Sequence, residues 1–556
     1  MSSYAQLSQD VVETRSSHSS SQKLATSSFR IYWLAATVCC GGLLFGYDSG
    51  VIGGVLTFSS FHKSFRYTPK EQTLISSIAV GIQQAGALAG CLLIWPLTNH
   101  YGRRRSMILC SLIFCIGVLF EIINSHSRPI FYIGRIICGL GIGGSATVAP
   151  IYLAEMSPAH LRGRLGSGYQ FTFTIGIFAS YWIDYGVQFW AESPRQWQVP
   201  LALQLVPGIA MGIGMLPLKE SVRWLLASGD TRAAWESLVW TRNTDNDDPD
   251  PAVREEFTEM KRAVAAETST TADFHPRELL HRPNLRRVTL AVTVFVAQQA
   301  TGATAMAYFG PQFFGLLVGD STSSSISSNA TDTSRVAVDS THSLTLLLTG
   351  IFGALKVISC LFFILFVADR FGRKPLLTFG ALGMALCMIS TSLLLRCSPS
   401  PHPPSQAPSQ SHSLSPKSLT TISLIYLTIT LYNLSWGPLP WPLVAELFPT
   451  RFRSPGVALA VASQWFSNFI WSFSTPYILD GLGWATFLLF GVLDLGIAVF
   501  VIVCLPETRG RSLEEVEDLF EDRGLGGRDG EEGGALEGES EGLVRAFEAR
   551  DEDGRQ

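Results

Sequence analysis

Long uncharged, apolar runs recur along this chain, and that recurrence limits the fold more than any other feature. A run of about 20 such residues covers a ~30 Å hydrocarbon core as a single α-helix. Twelve runs of that kind can be bounded, at 31–55, 74–97, 106–124, 130–152, 166–187, 198–217, 288–314, 343–368, 375–396, 418–444, 455–479 and 484–505. They are continuous rather than alternating, which excludes a closed β-barrel. Only 15% of the residues are charged and 47% are hydrophobic, against about 25% charged in a soluble chain. The fold class is therefore an all-α membrane protein with twelve transmembrane helices.

Charge in the loops orients these helices. The short loops after even-numbered spans are basic: NHYGRRRS, HLRGRL, DRFGRKP and TRFRS. Basic loops stay on the cytoplasmic side, so both termini are expected there. The loop between spans 7 and 8 carries the sequon Asn329-Ala330-Thr331, a glycosylation site that requires the opposite face. The expected organisation is a disordered cytosolic N-terminus at 1–28, a six-helix bundle at 29–217, a cytosolic helical linker at 218–287, a second six-helix bundle at 288–511 and a cytosolic tail at 512–556. The Pro/Ser-rich stretch 397–417 is read as a disordered outer loop. The ten cysteines lie mostly inside spans and form no C-x-x-C pair, so neither a zinc site nor a disulfide framework is indicated. No phosphate-binding loop, metal cluster or nucleophile–base motif is visible. No enzyme activity, cofactor, metal or nucleic-acid partner is expected.

The two halves repeat. GRRRS at 102–106 matches GRKP at 372–375, and PIYLAEMSPAHLR at 150–162 matches PLVAELFPTRFR at 442–453. A Glu precedes an Arg by seven residues in both, as Glu155/Arg162 and Glu446/Arg453. KESVRWL at 219–225 likewise matches PETRGRSL at 506–513. Two parallel six-span repeats joined by a cytosolic linker are the layout of the major facilitator superfamily, with the substrate site at the midplane between the bundles.

Within that superfamily, residues 30–520 resemble the sugar porter family. The resemblance rests on FGYDSGVIGG, the two G-R-[RK] loops, PIYLAEMSP followed by RGR, QFTFTIG, QQATGATAMAYFGP, WGPLPWPLVAELFP and PETRGRSLEE. Several stretches, GIQQAGALAGC, RQWQVPLALQLVPG and TGIFGALKVIS, are most similar to fungal quinate permeases. Departures from the family pattern are Asn99 for an acidic residue, Lys219 and Val222 for prolines, and Thr304 for the usual Asn of span 7. The resemblance implies a plasma-membrane transporter, working as a monomeric unit in the lipid bilayer. It would move a monosaccharide or cyclic polyol together with a proton by alternating access. A quinate/shikimate-type carboxylate permease is the alternative. An exporter of small metabolites on the same scaffold, and a non-transporting nutrient sensor, are the remaining readings.

The same resemblance assigns the polar residues. Gln170, Gln298, Gln299, Thr304, Trp436, Gln464 and Asn468 fall on its substrate motifs. Amides offer paired donors and acceptors to neighbouring hydroxyls, and an aromatic face suits the C–H side of a ring. The alternative is interhelical hydrogen bonding, worth about 0.6 kcal/mol per contact. Arg103, Glu155 and Arg162 in one half, and Arg373, Glu446 and Arg453 in the other, form either a latch on the cytosolic mouth or ordinary interfacial charge. Asp48, inside LLFGYDSGVIGG, lies ~25 Å into span 1, and Arg135 lies ~7 Å from the outer surface in the antiparallel span 4. At equal depth the guanidinium can stabilise the carboxylate, as a proton-coupling pair or a structural one. Lys356, ~20 Å into span 8, is too deep to reach a surface easily. Its expected role is contact with a substrate carboxylate; the alternatives are an internal acid such as Asp494 or a lysine held neutral by burial.

Overall fold

The computed structural model describes residues 2–123, 126–242, 251–271, 278, 281–318, 332–368, 370–397, 416–448 and 450–507. Asn329, most of the 397–417 stretch and the 512–556 tail lie outside the described residues. So do the side chains of 2–28, 159–164 and 450–454, and with them the gate candidates Arg162 and Arg453.

All twelve spans are present. Unbroken helices form span 1 (Phe29–Val55, within the helix Ser2–Val55), span 2 (Gln72–Tyr101), span 3 (Arg103–Ile122), span 4 (Arg128–Met156) and span 5 (Ala159–Val187). Span 6 is split into Arg195–Ala202 and Leu205–Met215. Span 7 is built from Arg282–Ala300, Ala303–Tyr308 and Gly310–Val318. Span 8 (Asp332–Phe362) ends in a π-helical turn, Phe363–Val367. Span 9 is Arg373–Arg396, span 10 is Pro416–Asn433 plus Pro440–Glu446, span 11 is Thr450–Leu482 and span 12 is Ala485–Cys504.

Eight of these spans are long and apolar enough to cross a membrane by length and composition. The other four are spans 5, 7, 10 and 11. These carry Gln170, Gln298 and Gln299, Trp436, and Gln464 and Asn468 respectively. A helix that lines a polar cavity gives up apolar residues on one face, which lowers its average hydropathy. All four contribute residues to the cavity described below.

Within the first bundle, span 1 packs on span 5, and span 4 packs between spans 2 and 3. Spans 9 and 12 pair in the second bundle. Across the divide, span 2 packs on span 11 and span 5 on span 8. The linker is helical where described, at Val222–Ala227, Thr231–Arg242 and Pro251–Thr271. Arg242 and Glu256 pair at 2.6 Å inside it. It is tied to the foot of span 1 by Arg30, which donates to the Trp240 carbonyl at 2.9 Å and stacks on that indole.

Candidate functional site

Between the bundles lies a cavity of about 660 Å³. Its walls include Gln170 on span 5, Gln298, Gln299, Thr304 and Tyr308 on span 7, and Gln464, Trp465 and Asn468 on span 11. Ala154, Ala368 and Arg373 line it too, so it reaches toward the basic end of the bundle. At the opposite end the halves touch. Tyr181 on span 5 donates to the Ala307 carbonyl of span 7 at 2.5 Å, and His342 meets the Thr57 hydroxyl at 2.9 Å.

The break in span 7 sets the wall. Gly302 has φ +78, a left-handed conformation that costs other residues about 1–2 kcal/mol. The helix restarts at Ala303, so the Gln298–Gln299 pair ends one piece and Thr304 begins the next. Gln298 donates to the carbonyls of Trp436 (2.9 Å) and Gly437 (3.2 Å) and accepts from Gln464 (3.1 Å). Asn468 donates to Gln84 at 3.1 Å and to the Tyr308 hydroxyl at 3.2 Å. Three groups on this wall have no partner: Gln299 Oε1, Asn468 Oδ1 and Trp465 Nε1. Buried polar atoms are rarely left that way.

One expected substrate residue is placed elsewhere. Trp436 is fully buried and does not line the cavity; its indole N–H donates to the Leu377 carbonyl of span 9 at 2.9 Å. Residues 434–439 form the turn between the two pieces of span 10. That turn faces the backbone carbonyl of Trp436 toward Gln298 and the ring toward span 9. The aromatic wall is supplied instead by Trp441, Trp465, Tyr308, Phe45 and Phe173. Trp441 sits in the same WGPLPWP motif, but sequence alone does not say which of its two rings faces inward.

Lys356 also lines the cavity, with its ammonium 5.9 Å from the ring centres of Phe173 and Phe352. The expected internal partner, Asp494, does not serve. Both its carboxyl oxygens are without hydrogen-bond partners, and no described carboxylate forms an ion pair with Lys356.

Asp48 and Arg135 meet as depth along the spans implies. The guanidinium donates from Nη1 to Asp48 Oδ1 at 2.8 Å, and neither side chain has any exposure. Gln83 donates its amide to the other Asp48 oxygen and accepts from Arg135. Arg135 also donates to the Ala79 carbonyl at 3.0 Å. Glu121, at the end of span 3, stands 3.4 Å from Arg135 Nη1 and is likewise unexposed. Sequence reasoning passed over Glu121 because it lies one residue from its helix end, where an acid ordinarily reaches water.

The chain matches the sugar (and other) transporter family over residues 34–520. The quinate permease of Emericella nidulans is 31% identical over 504 residues, which covers 89% of each chain. That of Neurospora africana is 32% identical over 505 residues, 89% of this chain and 90% of the relative. The inward open conformation of the xylose transporter XylE from E. coli superposes with a TM-score of 0.67 at 24% identity, covering 88% of this chain and 100% of XylE.

The chain belongs to the sugar transporter family.

As a member of that family and of the major facilitator superfamily, it is a multi-pass membrane transporter and not an enzyme. The repeat across this transporter's two halves extends to its charged clusters. Arg103 makes a two-pronged pair with Glu155, with both contacts at 3.1 Å; Arg373 reaches Glu446 at 3.3 Å. Each pair lies within its own half. A second carboxylate completes each cluster, and sequence reasoning missed both. Glu220 accepts the backbone N–H groups of Arg103 (2.8 Å) and Arg104 (3.0 Å), and Glu507 accepts those of Arg373 (2.9 Å) and Lys374 (3.1 Å). A carboxylate there satisfies free amides and favours the helix dipole. Gly102 makes room for this contact at φ +92, since a Cβ would lie 2.4 Å from Glu220 Oε2. The matched segments KESVRWL and PETRGRSL were the available signal, but their glutamates act through contacts more than 100 residues distant in sequence.

Proposed function

We propose that this chain carries a hydroxylated ring bearing a carboxylate, of the quinate type, together with a proton, by alternating access. The observation behind this reading is Lys356, a cation on the cavity wall that no described carboxylate pairs with. An intramembrane charge is costly and marks function, and an anionic substrate supplies the missing partner. The polar side chains on the cavity wall, Gln170, Gln298, Gln299, Thr304, Gln464 and Asn468, suit ring hydroxyls. Two of the relatives reported above are named quinate permeases. A neutral sugar or cyclic polyol is the second reading. It is favoured by the same amides and by the fold shared with XylE, which binds 6-bromo-6-deoxy-D-glucose and is described as a proton:xylose symporter. Competition separates the two. In transporter-deficient cells, quinate and shikimate are expected to inhibit uptake more strongly than glucose. Lys356→Met should weaken that inhibition about 10- to 100-fold, the loss of one charge-assisted hydrogen bond. Equal inhibition of wild type and variant returns the choice to the neutral sugar.

By the positive-inside rule the basic end is cytosolic, both termini lie there, and the cavity faces inward. The membrane is the plasma membrane, and the working unit is a single chain. Arg103–Glu155 and Arg373–Glu446 are formed while the cavity faces inward, and they brace the cytosolic end of each half, the surface that closes against the other half. A two-state element of this kind is biased by whatever stabilises one state. Glu155→Gln is expected to raise the reaction rate of a cytosolic thiol reagent with a cysteine placed at Ala154, on the cavity wall. An unchanged rate would reduce these charges to topology.

A further inference from the structure

The enclosure around Arg135 holds one cation and two acids. Asp48 and Glu121 both have no exposure, and the guanidinium is the one described cation in ion-pair reach of either. Three ionised groups would leave an excess negative charge in a site with no water contact, which costs several kcal/mol. A single proton removes the excess. Contact lengths say where it sits. Asp48 takes the short 2.8 Å bond from Arg135 and a second donation from the Gln83 amide. Glu121 stands 3.4 Å from Arg135 and 3.3 Å from the Gln204 amide nitrogen, with the Cys138 thiol as its other hydrogen-bond partner. Charge-assisted bonds to a carboxylate are normally about 2.7–2.9 Å, so Asp48 fits the carboxylate and Glu121 the neutral acid.

Gln204 supports this assignment independently. It lies between the two pieces of span 6, is fully buried, and its amide oxygen has no partner. In one amide orientation its N–H₂ donates to Glu121. Turned by half a rotation, the amide places its free oxygen against Glu121 Oε2, where it accepts a carboxyl proton. The other groups facing this cluster are the Cys138 thiol on span 4 and the Tyr308 hydroxyl on span 7, and neither supplies positive charge.

We infer that Glu121 is a second proton-holding residue, storing the proton while Asp48 is paired with Arg135 and returning it when Arg135 shifts toward Glu121. The balance is simple. Arg135 Nη1 already touches both acids; as it leaves Asp48 for Glu121, the O–H bond on Glu121 breaks and one forms on Asp48. In this step the proton only changes partner within the pair; uptake from one side and release to the other belong to the rest of the cycle. This rests on the proton-coupled reading given above.

Infrared difference spectroscopy of the full chain in phosphatidylcholine vesicles tests it without any substrate. At neutral pH, wild type minus Glu121→Gln is expected to show one protonated-carboxyl C=O band. Asp48→Asn is expected to lose the same band, because Arg135 is then free to pair with Glu121 as a carboxylate. Asp184→Asn and Asp494→Asn, the other buried acids with unpartnered oxygens, should keep it. No carboxyl band missing from Glu121→Gln, or a band in Asp48→Asn identical to wild type, overturns the proposal. Quinate uptake in the same vesicles under an imposed pH gradient reports on the transport reading separately. If wild type fails to accumulate quinate while the band behaves as expected, that reading falls and the Glu121 assignment stands.

Discussion

Asp48→Asn is expected to abolish accumulation of substrate against a gradient while leaving exchange down a gradient measurable. In the intact chain Asp48 is bound by Arg135 at 2.8 Å and by Gln83, in a site without exposure. The asparagine keeps the shape but cannot take up a proton at any pH met in a cell. Arg135 and Glu121 then form a neutral pair, and the cycle no longer needs a proton to run. Loading vesicles with quinate and following both efflux exchange and pH-driven uptake distinguishes the two fluxes. Full concentrative uptake by the variant would remove Asp48 from the mechanism and leave its bond to Arg135 as a structural one.

Arg135→Met is expected to have the largest effect on stability. Removing one partner of a buried ion pair typically costs about 3–5 kcal/mol, because the remaining charge is left without compensation. Here two acids lose their cation together, and the carbonyl of Ala79 and the oxygen of Gln83 lose a donor. A lower thermal unfolding temperature of the detergent-solubilised protein would report the loss. Adding Asp48→Asn and Glu121→Gln to the same chain should recover much of it, since the neutral amides need no counter-charge. If Arg135→Met unfolds at the wild-type temperature, the cluster does not hold these spans together. If the added substitutions make matters worse, packing rather than charge is what Arg135 contributes.

Both effects arise from a pairing that depth arithmetic along two antiparallel helices could anticipate. Asp48 counts inward from one membrane face and Arg135 from the other, and the helical rise is fixed at ~1.5 Å per residue. The same local logic marked all twelve spans, the repeat of Arg103/Glu155 in Arg373/Glu446, and the polar set on spans 5, 7 and 11. These features depend on order and distance along one chain axis, which sequence carries directly.

Rotation about that axis is a different matter. Trp436 and Trp441 lie in one motif, yet only Trp441 faces the cavity, because the turn at 434–439 directs Trp436 into span 9. Glu121 gives no signal in the sequence; spans 4 and 6 enclose it with Arg135 and Gln204. Lys356 also reads as the partner of an internal acid such as Asp494 until span 12 leaves that carboxyl unpartnered and Lys356 is found on the cavity wall. Sequence by itself determined the number of helices, their repeat and the depth of each charge, because hydropathy and helical rise are properties of one segment. Only the tertiary structure decided which groups at a given depth face one another, because that is set by how neighbouring spans pack against each other's small residues and by the turns within broken helices.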